Sequence, residues 1–128
     1  MGKKISGGSK DNTESIEKKL VIQITSDSYG SSSGELGENL MKAYIYALTE
    51  TSPLPKTIIF INRGAFLSAE NSPVLDSLGK LEAEGVEILT CGTCIDFFSL
   101  SKTPEAGIIT NMYTIVERLN NATNSIII

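Results

Sequence analysis

The chain has 128 residues, of which 41% are apolar and 20% charged, and its formal net charge is −4. This length suits one domain with a core of its own. The five lysines and three acidic residues of positions 1–19 balance to +2, which leaves −6 on residues 20–128. Because Lys and Arg contacts to phosphates supply most nucleic-acid affinity, an acidic domain argues against nucleic acid as a partner. No apolar run approaches the roughly 20 residues that cross a bilayer, so no membrane segment is predicted.

The N-terminal residues and the cysteine content indicate the compartment. Residues 1–19 are polar, without the apolar core of a signal peptide, and are predicted to form a flexible leader or linker before a domain over residues 20–128. The chain has two cysteines and no histidine, so the usual general base and the commonest metal ligand are both absent. We therefore expect a reducing, cytoplasmic location, where a Cys-x-x-Cys pair is typical of redox, sulfur-handling or metal chemistry.

The first strand–helix unit of the domain is predicted over residues 20–50. Leu20–Thr25 is nearly all apolar, which favours a strand covered on both faces. After the Gly- and Ser-rich loop Ser26–Gly34, helical spacing predicts a helix from about Glu35 to Glu50 with Ser33 as its N-cap. The predicted buried stripe of this helix consists of Leu36, Leu40, Ala43, Tyr44, Ala47 and Leu48, which Met41 and Ile45 widen.

The same alternation continues along the chain. Thr57–Asn62 is the second predicted strand, and the loop Arg63–Ser72 leads into a helix that begins at Ser72-Pro73 and ends at Gly85. Val86–Thr90 is the third strand and runs into Cys91. The remaining predicted elements are a short helix at Asp96–Ser99, a strand at Gly107–Ile109, a helix at Asn111–Asn121 with Met112, Ile115, Val116 and Leu119 inward, and a strand at Ser125–Ile128.

Strands that alternate with helices predict a parallel sheet with helices on both faces. In such a sheet every strand-to-helix loop lies at the carboxyl edge, where open α/β folds bind ligands. The segments Ser26–Gly34, Arg63–Ser72, Cys91–Cys94 and Thr110–Asn111 are therefore expected to share one rim.

The motif Cys91-Gly92-Thr93-Cys94 is the strongest chemical signal on this rim. Beside free backbone N–H groups and a helix dipole, a cysteine pKa falls from ~8.5 into a range of about 3.5–7.5, and the short helix predicts a small effect. Thr93 offers a hydroxyl near either sulfur. Four interpretations stay open: two packed hydrophobes, a dithiol–disulfide couple, a metal site short of the usual four ligands, and a nucleophile that carries sulfur or selenium as a persulfide.

Two further rim segments are weaker candidates for ligand binding. The hydroxyls and glycines of Ser26–Gly34 before a helix suggest an anion site, although Asp27 would oppose a phosphate and no nucleotide-binding motif is present. Arg63 is one of two arginines in the chain. It could lower a thiolate pKa, hold an anionic substrate or remain a solvated surface charge.

These segments together resemble the DsrE/DsrF-like family of sulfur-relay proteins, and most closely the C-terminal domain of its YedF-type members, which are linked to selenium metabolism. The central match is residues 85–98, Gly-Val-Glu-Ile-Leu-Thr-Cys-Gly-Thr-Cys-Ile-Asp-Phe-Phe. Shorter matches are Ser26-Asp27-Ser28, Gly34-Glu35-Leu36-Gly37, Leu40-Met41-Lys42-Ala43, Ser72-Pro73-Val74-Leu75 and Ile109-Thr110-Asn111-Met112-Tyr113. They span residues 20 to about 120.

The resemblance implies a three-layer α/β/α sandwich and assembly into homotrimers or hexamers. With the five strands predicted from the pattern, the expected sheet is five-stranded and mainly parallel. It implies a carrier cysteine at Cys91, with Cys94 as the second cysteine of a C-x-T-C variant. The candidate substrate contacts around them are Asp27, Ser28, Arg63 and Thr93. Neither a cofactor nor a metal is expected.

Two departures from the family pattern concern partners and substrate contacts. Selenium-linked members usually begin with a TusA-like domain carrying Cys-Pro-x-Pro, which these 128 residues lack, and residues 1–19 resemble the linker that would follow it. The first loop reads Tyr-Gly-Ser-Ser-Ser-Gly where relatives carry a charged Gly-Arg-Gly-Asp-type stretch.

The predicted function is a sulfur or selenium carrier of the sulfurtransferase-like type, served by donor and acceptor proteins that include a TusA-like domain. Cys91 would bear the persulfide, and Cys94 would resolve that persulfide or assist its transfer. One alternative is a non-catalytic oligomeric docking domain whose cysteines only pack. Another is a small-molecule or nucleotide binder that uses Ser26–Gly34.

Overall fold

The computed structural model of the chain describes residues 19–31 and 34–128. The predicted leader and the predicted N-cap Ser33 lie outside these residues. Among the helices within them, none has the length and apolar character needed to cross a bilayer.

In the described part of the chain, five parallel strands form one sheet in the order β4-β3-β2-β1-β5. The strands are β1 Leu20–Ile24, β2 Thr57–Phe60, β3 Glu87–Cys91, β4 Ile108–Thr110 and β5 Asn124–Ile127. The helices are α1 Gly34–Glu50, a 3₁₀ helix Asn62–Ser68, α2 Leu75–Ala83, α3 Gly92–Phe97 and α4 Met112–Asn120. The predicted α/β fold with a five-stranded parallel sheet is confirmed.

Helices cover both faces of the sheet. Alternate residues of each strand point to opposite faces, and since both sets are apolar in the central strands, both faces are buried. On one face Ile58 and Phe60 of the fully buried β2 pack with residues of α1 and α2. On the other face Ile59 packs with Ile115 of α4. The larger core includes Ile22, Ile24, Met41, Ile45, Leu67, Val74, Leu78 and Leu81. The three predicted layers are thus present.

The buried stripe of α1 differs from the predicted one. Leu36 and Leu40 are 60% and 42% exposed, whereas Gly37, Met41 and Ile45 are buried. Apolar side chains occur around most of the circumference of α1, so spacing alone does not decide which side faces the sheet. The prediction for α4 is likewise wrong in part, since Met112 and Val116 are exposed while Ile115 is buried.

The segment after β2 also differs from the predicted loop. β2 ends at Phe60, and the 3₁₀ helix Asn62–Ser68 occupies most of the expected loop. Gly64 allows this helix to lie against β1, because a Cβ atom there would be 2.3 Å from the carbonyl oxygen of Ile24. The next helix, α2, begins at Leu75 instead of Ser72, and the Ser72 hydroxyl accepts a hydrogen bond from the Val74 N–H at 3.2 Å.

Candidate functional site

The carboxyl end of β3 places both cysteines at the rim. Cys91 is the last residue of β3 and the N-cap of α3, and Cys94 lies three residues further, in the first turn. Cys91 is only 4% exposed and packs with Val21, Ile59 and Ile115 on the α4 face of the sheet. Cys94 is partly exposed. The two sulfur atoms therefore differ in their access to a partner from solution.

The Cys94 sulfur accepts a hydrogen bond from the backbone N–H of Asn62, with an N–Sγ distance of 3.1 Å. Asn62 opens the 3₁₀ helix and has a φ of +51°, in the left-handed region that asparagine tolerates better than most residues. The site thus joins two rim segments 32 positions apart in the chain. Sequence reasoning missed Asn62, whose only signal is an Asn before Arg63-Gly64 at the end of a strand.

The pKa of the Cys94 thiol lies above its ordinary value. Burial is the main cause, and the side chain of Cys91 raises the pKa further, while the Asn62 N–H lowers it. The predicted lowering by the helix start is therefore wrong for Cys94. A helix of six residues has a weak dipole, and one hydrogen bond does not offset the desolvation of the thiolate.

Arg63 binds Asp27 and two aromatic rings beside the cysteines. Its Nε and Nη2 atoms donate to the two carboxylate oxygens of Asp27 at 3.3 and 3.1 Å. The guanidinium lies 4.6 Å from the ring centre of Phe66 and 5.8 Å from that of Phe98. Arg63 therefore ties together the first loop, the 3₁₀ helix and the end of α3, and its charge is already balanced by a carboxylate.

Two buried hydroxyls fix the 3₁₀ helix to β3. The side chains of Ser68 and Thr90 are fully buried and hydrogen-bond each other at 2.7 Å. The Ser68 carbonyl oxygen also accepts the N–H of Glu105 at 2.8 Å. Because Thr90 precedes Cys91, this contact holds the 3₁₀ helix in a fixed position relative to both cysteines. Sequence analysis did not single out either hydroxyl.

The other predicted substrate contacts have mixed positions. Ser28 lies near Asp27 in the first loop, and its N–H donates to the Ser26 hydroxyl at 3.1 Å. Thr93 is exposed on the first turn of α3, between the cysteines. The described part of the first loop is bound back onto α1, since the Tyr29 N–H donates to the Gly37 carbonyl at 3.0 Å.

A cavity of about 400 Å³ opens beside the first loop. Its lining is mixed in charge and partly apolar, and it contains neither cysteine. The lining residues are Asp27, Glu38, Met41, Lys42, Phe66, Leu67, Glu70, Asn71, Ser72 and Pro73. Within residues 19–31 and 34–128, no group of three or more Cys, Asp or Glu side chains is arranged to hold a metal ion.

Large apolar side chains are exposed on the elements next to Cys94. Phe97 of α3 is 80% exposed, and Tyr113 at the start of α4 is 89% exposed. Met112 and Ile108 are also more than half exposed. Large exposed apolar side chains are typical of surfaces that contact another protein.

Comparison with solved structures identifies the fold. The ychN protein from E. coli has a TM-score of 0.67 and 16% identity, with all of that chain and 88% of this one covered. MTH1491 from Methanobacterium thermoautotrophicum, a protein of unknown function, has a TM-score of 0.65 and 14% identity over the same shares. No protein-family profile and no curated protein matches the chain. The fold is the DsrE/DsrF-like α/β fold.

Proposed function

We propose that the protein carries a sulfur atom, or a selenium atom, as a persulfide on the Cys91/Cys94 pair. The observation that supports this is the pairing of two free thiols at the carboxyl rim, with the Cys94 sulfur partly exposed and held by the Asn62 N–H. A thiolate that attacks the outer sulfur of a donor persulfide becomes a persulfide itself, and one accessible thiol is enough for that step. The fold, shared with ychN, is compatible with this role.

The proposed partners are a donor and an acceptor protein, one of them with a TusA-like domain. Exposed Phe97 on α3 and Tyr113 on α4 would meet such a partner. Neither cysteine lines the cavity beside the first loop, which favours a protein over a small molecule as the donor. We further propose a YedF-type relationship, a cytoplasmic location, and assembly into homotrimers or hexamers. Asp27, Ser28, Arg63 and Thr93 would border the donor on the rim.

The experiment is intact mass measurement after incubation with a persulfide donor. The wild type is expected to gain the mass of one sulfur, which a thiol reductant removes. The single variants Cys91→Ala and Cys94→Ala show which cysteine carries the added sulfur. The double variant is the control for sulfur added at any other residue. Absence of sulfur gain from inorganic polysulfide and from a protein persulfide, in the wild type and in both single variants, would rule the carrier function out.

A second candidate function is a non-catalytic docking domain, favoured by the 4% exposure of Cys91 within an apolar cluster. In that case the cysteines only pack, and partner binding would survive in the Cys91→Ala/Cys94→Ala double variant. Loss of partner-dependent sulfur transfer in the same variant, with binding retained, would favour the carrier.

A further inference from the structure

The two thiols of the carrier site differ in solvent exposure, and this difference suits them to different steps of the reaction. Cys94 is partly exposed, whereas Cys91 is 4% exposed beneath the start of α3. A bulky donor persulfide must reach the attacking sulfur atom from solution, and only Cys94 offers that access without opening the core. Cys91 can react only with a group already inside the site.

The local geometry brings that group to Cys91. Cys91 is the N-cap of α3 and Cys94 is its third residue. In this arrangement the side chains of the two positions converge, as they do in a capping box. Cys94 packs against the buried cluster that contains Cys91. A persulfide formed on Cys94 would therefore have its inner sulfur beside the Cys91 sulfur.

We propose that sulfur enters at Cys94 and that Cys91 then expels it as hydrosulfide by closing a Cys91–Cys94 disulfide. This inference rests on the proposed carrier function and reverses the order of the cysteines that the family resemblance implies. The product handed over would be a small anion, hydrosulfide or hydroselenide, in addition to any sulfur passed directly to an acceptor.

The two steps balance without an outside oxidant. In the first step, the Cys94 thiolate attacks the outer sulfur of the donor persulfide. The donor's inner sulfur leaves as a thiolate, and Cys94 becomes a persulfide. In the second, Cys91 loses its proton to the ionised outer sulfur and attacks the inner sulfur, so the inner–outer S–S bond breaks as the Cys91–Cys94 bond forms. The outer sulfur is reduced to hydrosulfide and the two thiols are oxidised to a disulfide. A dithiol reductant must then restore both thiols.

Two physical effects favour the second step. The attack of Cys91 on the Cys94 persulfide is intramolecular, so the effective concentration of the attacking thiol is high. Hydrosulfide is also a better leaving group than an alkyl thiolate, because thiol exchange is faster when the leaving thiol is more acidic. Burial of Cys91 does not hinder this step, since Cys94 already packs against the cluster that contains Cys91.

The test follows the mass of the protein and the release of hydrosulfide after a short pulse of glutathione persulfide. The wild type is expected to gain one sulfur briefly and then release hydrosulfide while losing two hydrogen atoms to a disulfide. This decay should have a rate independent of protein concentration, as an intramolecular step requires. In Cys91→Ser the persulfide should persist at least about tenfold longer, and Cys94→Ser should load at least about tenfold more slowly.

The control variants separate this inference from the carrier function itself. Cys91→Ala repeats the measurement without a hydroxyl in the apolar cluster, and thermal unfolding confirms that each variant is folded. Loading of Cys94→Ser at the wild-type rate, or hydrosulfide release from both Cys91 variants at the wild-type rate, would overturn the inference while leaving a carrier. Absence of both sulfur gain and hydrosulfide release in the wild type would remove the carrier and the inference together.

Discussion

Replacement of Gly64 by alanine tests whether the 3₁₀ helix and β1 are as close as the site requires. The new Cβ atom would lie 2.3 Å from the carbonyl oxygen of Ile24, well inside the 3.0 Å that real Cβ contacts respect. Both sides of this contact are backbone, so neither can move aside as a flexible side chain would. The same Ile24 oxygen accepts the N–H of Ile61 at 3.1 Å, and a shift that relieves the clash lengthens this bond.

The expected loss of stability follows from these two effects. Overpacking of a close contact costs about 1–3 kcal/mol, and a weakened hydrogen bond adds about 0.5–1.5 kcal/mol. Alanine also lowers the conformational entropy of the unfolded chain, which offsets about 0.4–1 kcal/mol of this loss. We expect Gly64→Ala to lower the free energy of unfolding by about 2–3 kcal/mol. With a urea dependence of about 1–3 kcal/mol per molar, the midpoint falls by about 0.7–3 M.

The matched control is Gly79→Ala in the interior of α2. No atom lies within 4 Å of a Cβ at Gly79, so alanine there should stabilise the protein by about 0.5–1 kcal/mol. Urea unfolding followed by circular dichroism measures both variants. The rate of Cys94 alkylation should also change in Gly64→Ala, because Asn62 lies two residues from the substitution, and not in Gly79→Ala. Equal stability of Gly64→Ala and the wild type would refute the close packing on which this reasoning depends.

Three further predictions concern the site and its support. Cys91→Ala should lower the pKa of the Cys94 thiol, because Cys91 contributes to its raised value, and alkylation rates against pH should shift to lower pH; an unchanged midpoint would contradict the coupling. Ser68→Ala should destabilise the protein by about 1–3 kcal/mol, since it leaves a buried hydroxyl without its partner. Adding Thr90→Val should recover part of that loss, and strictly additive effects would argue against the bond. Arg118 donates two hydrogen bonds to the Glu87 carboxylate, at 2.7 and 2.9 Å, and these are the main cause of a lowered Glu87 pKa. The ion pair therefore contributes about 1 kcal/mol or less to stability above the ordinary pKa of 4.5, and this contribution disappears as pH falls through the lower folded pKa. Glu87→Gln should therefore narrow the stability difference between pH 7 and pH 3, as measured by urea unfolding at both.

The sequence determined the architecture because secondary structure depends on local patterns. Apolar runs such as Thr57–Phe60 favour buried strands, and Gly85, with a φ of +96°, ends the predicted helix as expected. Alternation of strands and helices in turn requires a parallel sheet whose loops share one rim. That pattern alone places the Cys-x-x-Cys pair directly after β3, although α3 begins at Gly92 and not at the predicted Asp96.

Other features depended on how separate segments pack, which no local pattern contains. Leu40 and Met41 are neighbours of similar apolar character, and only the packing of α1 on the sheet decides that Met41 is buried. The Asn62 N–H reaches Cys94 only because the 3₁₀ helix is fixed by contacts with β1 and β3. The unequal exposure of Cys91 and Cys94, and hence the division of work proposed for them, is set by the tertiary structure, since burial depends on every element that surrounds a side chain.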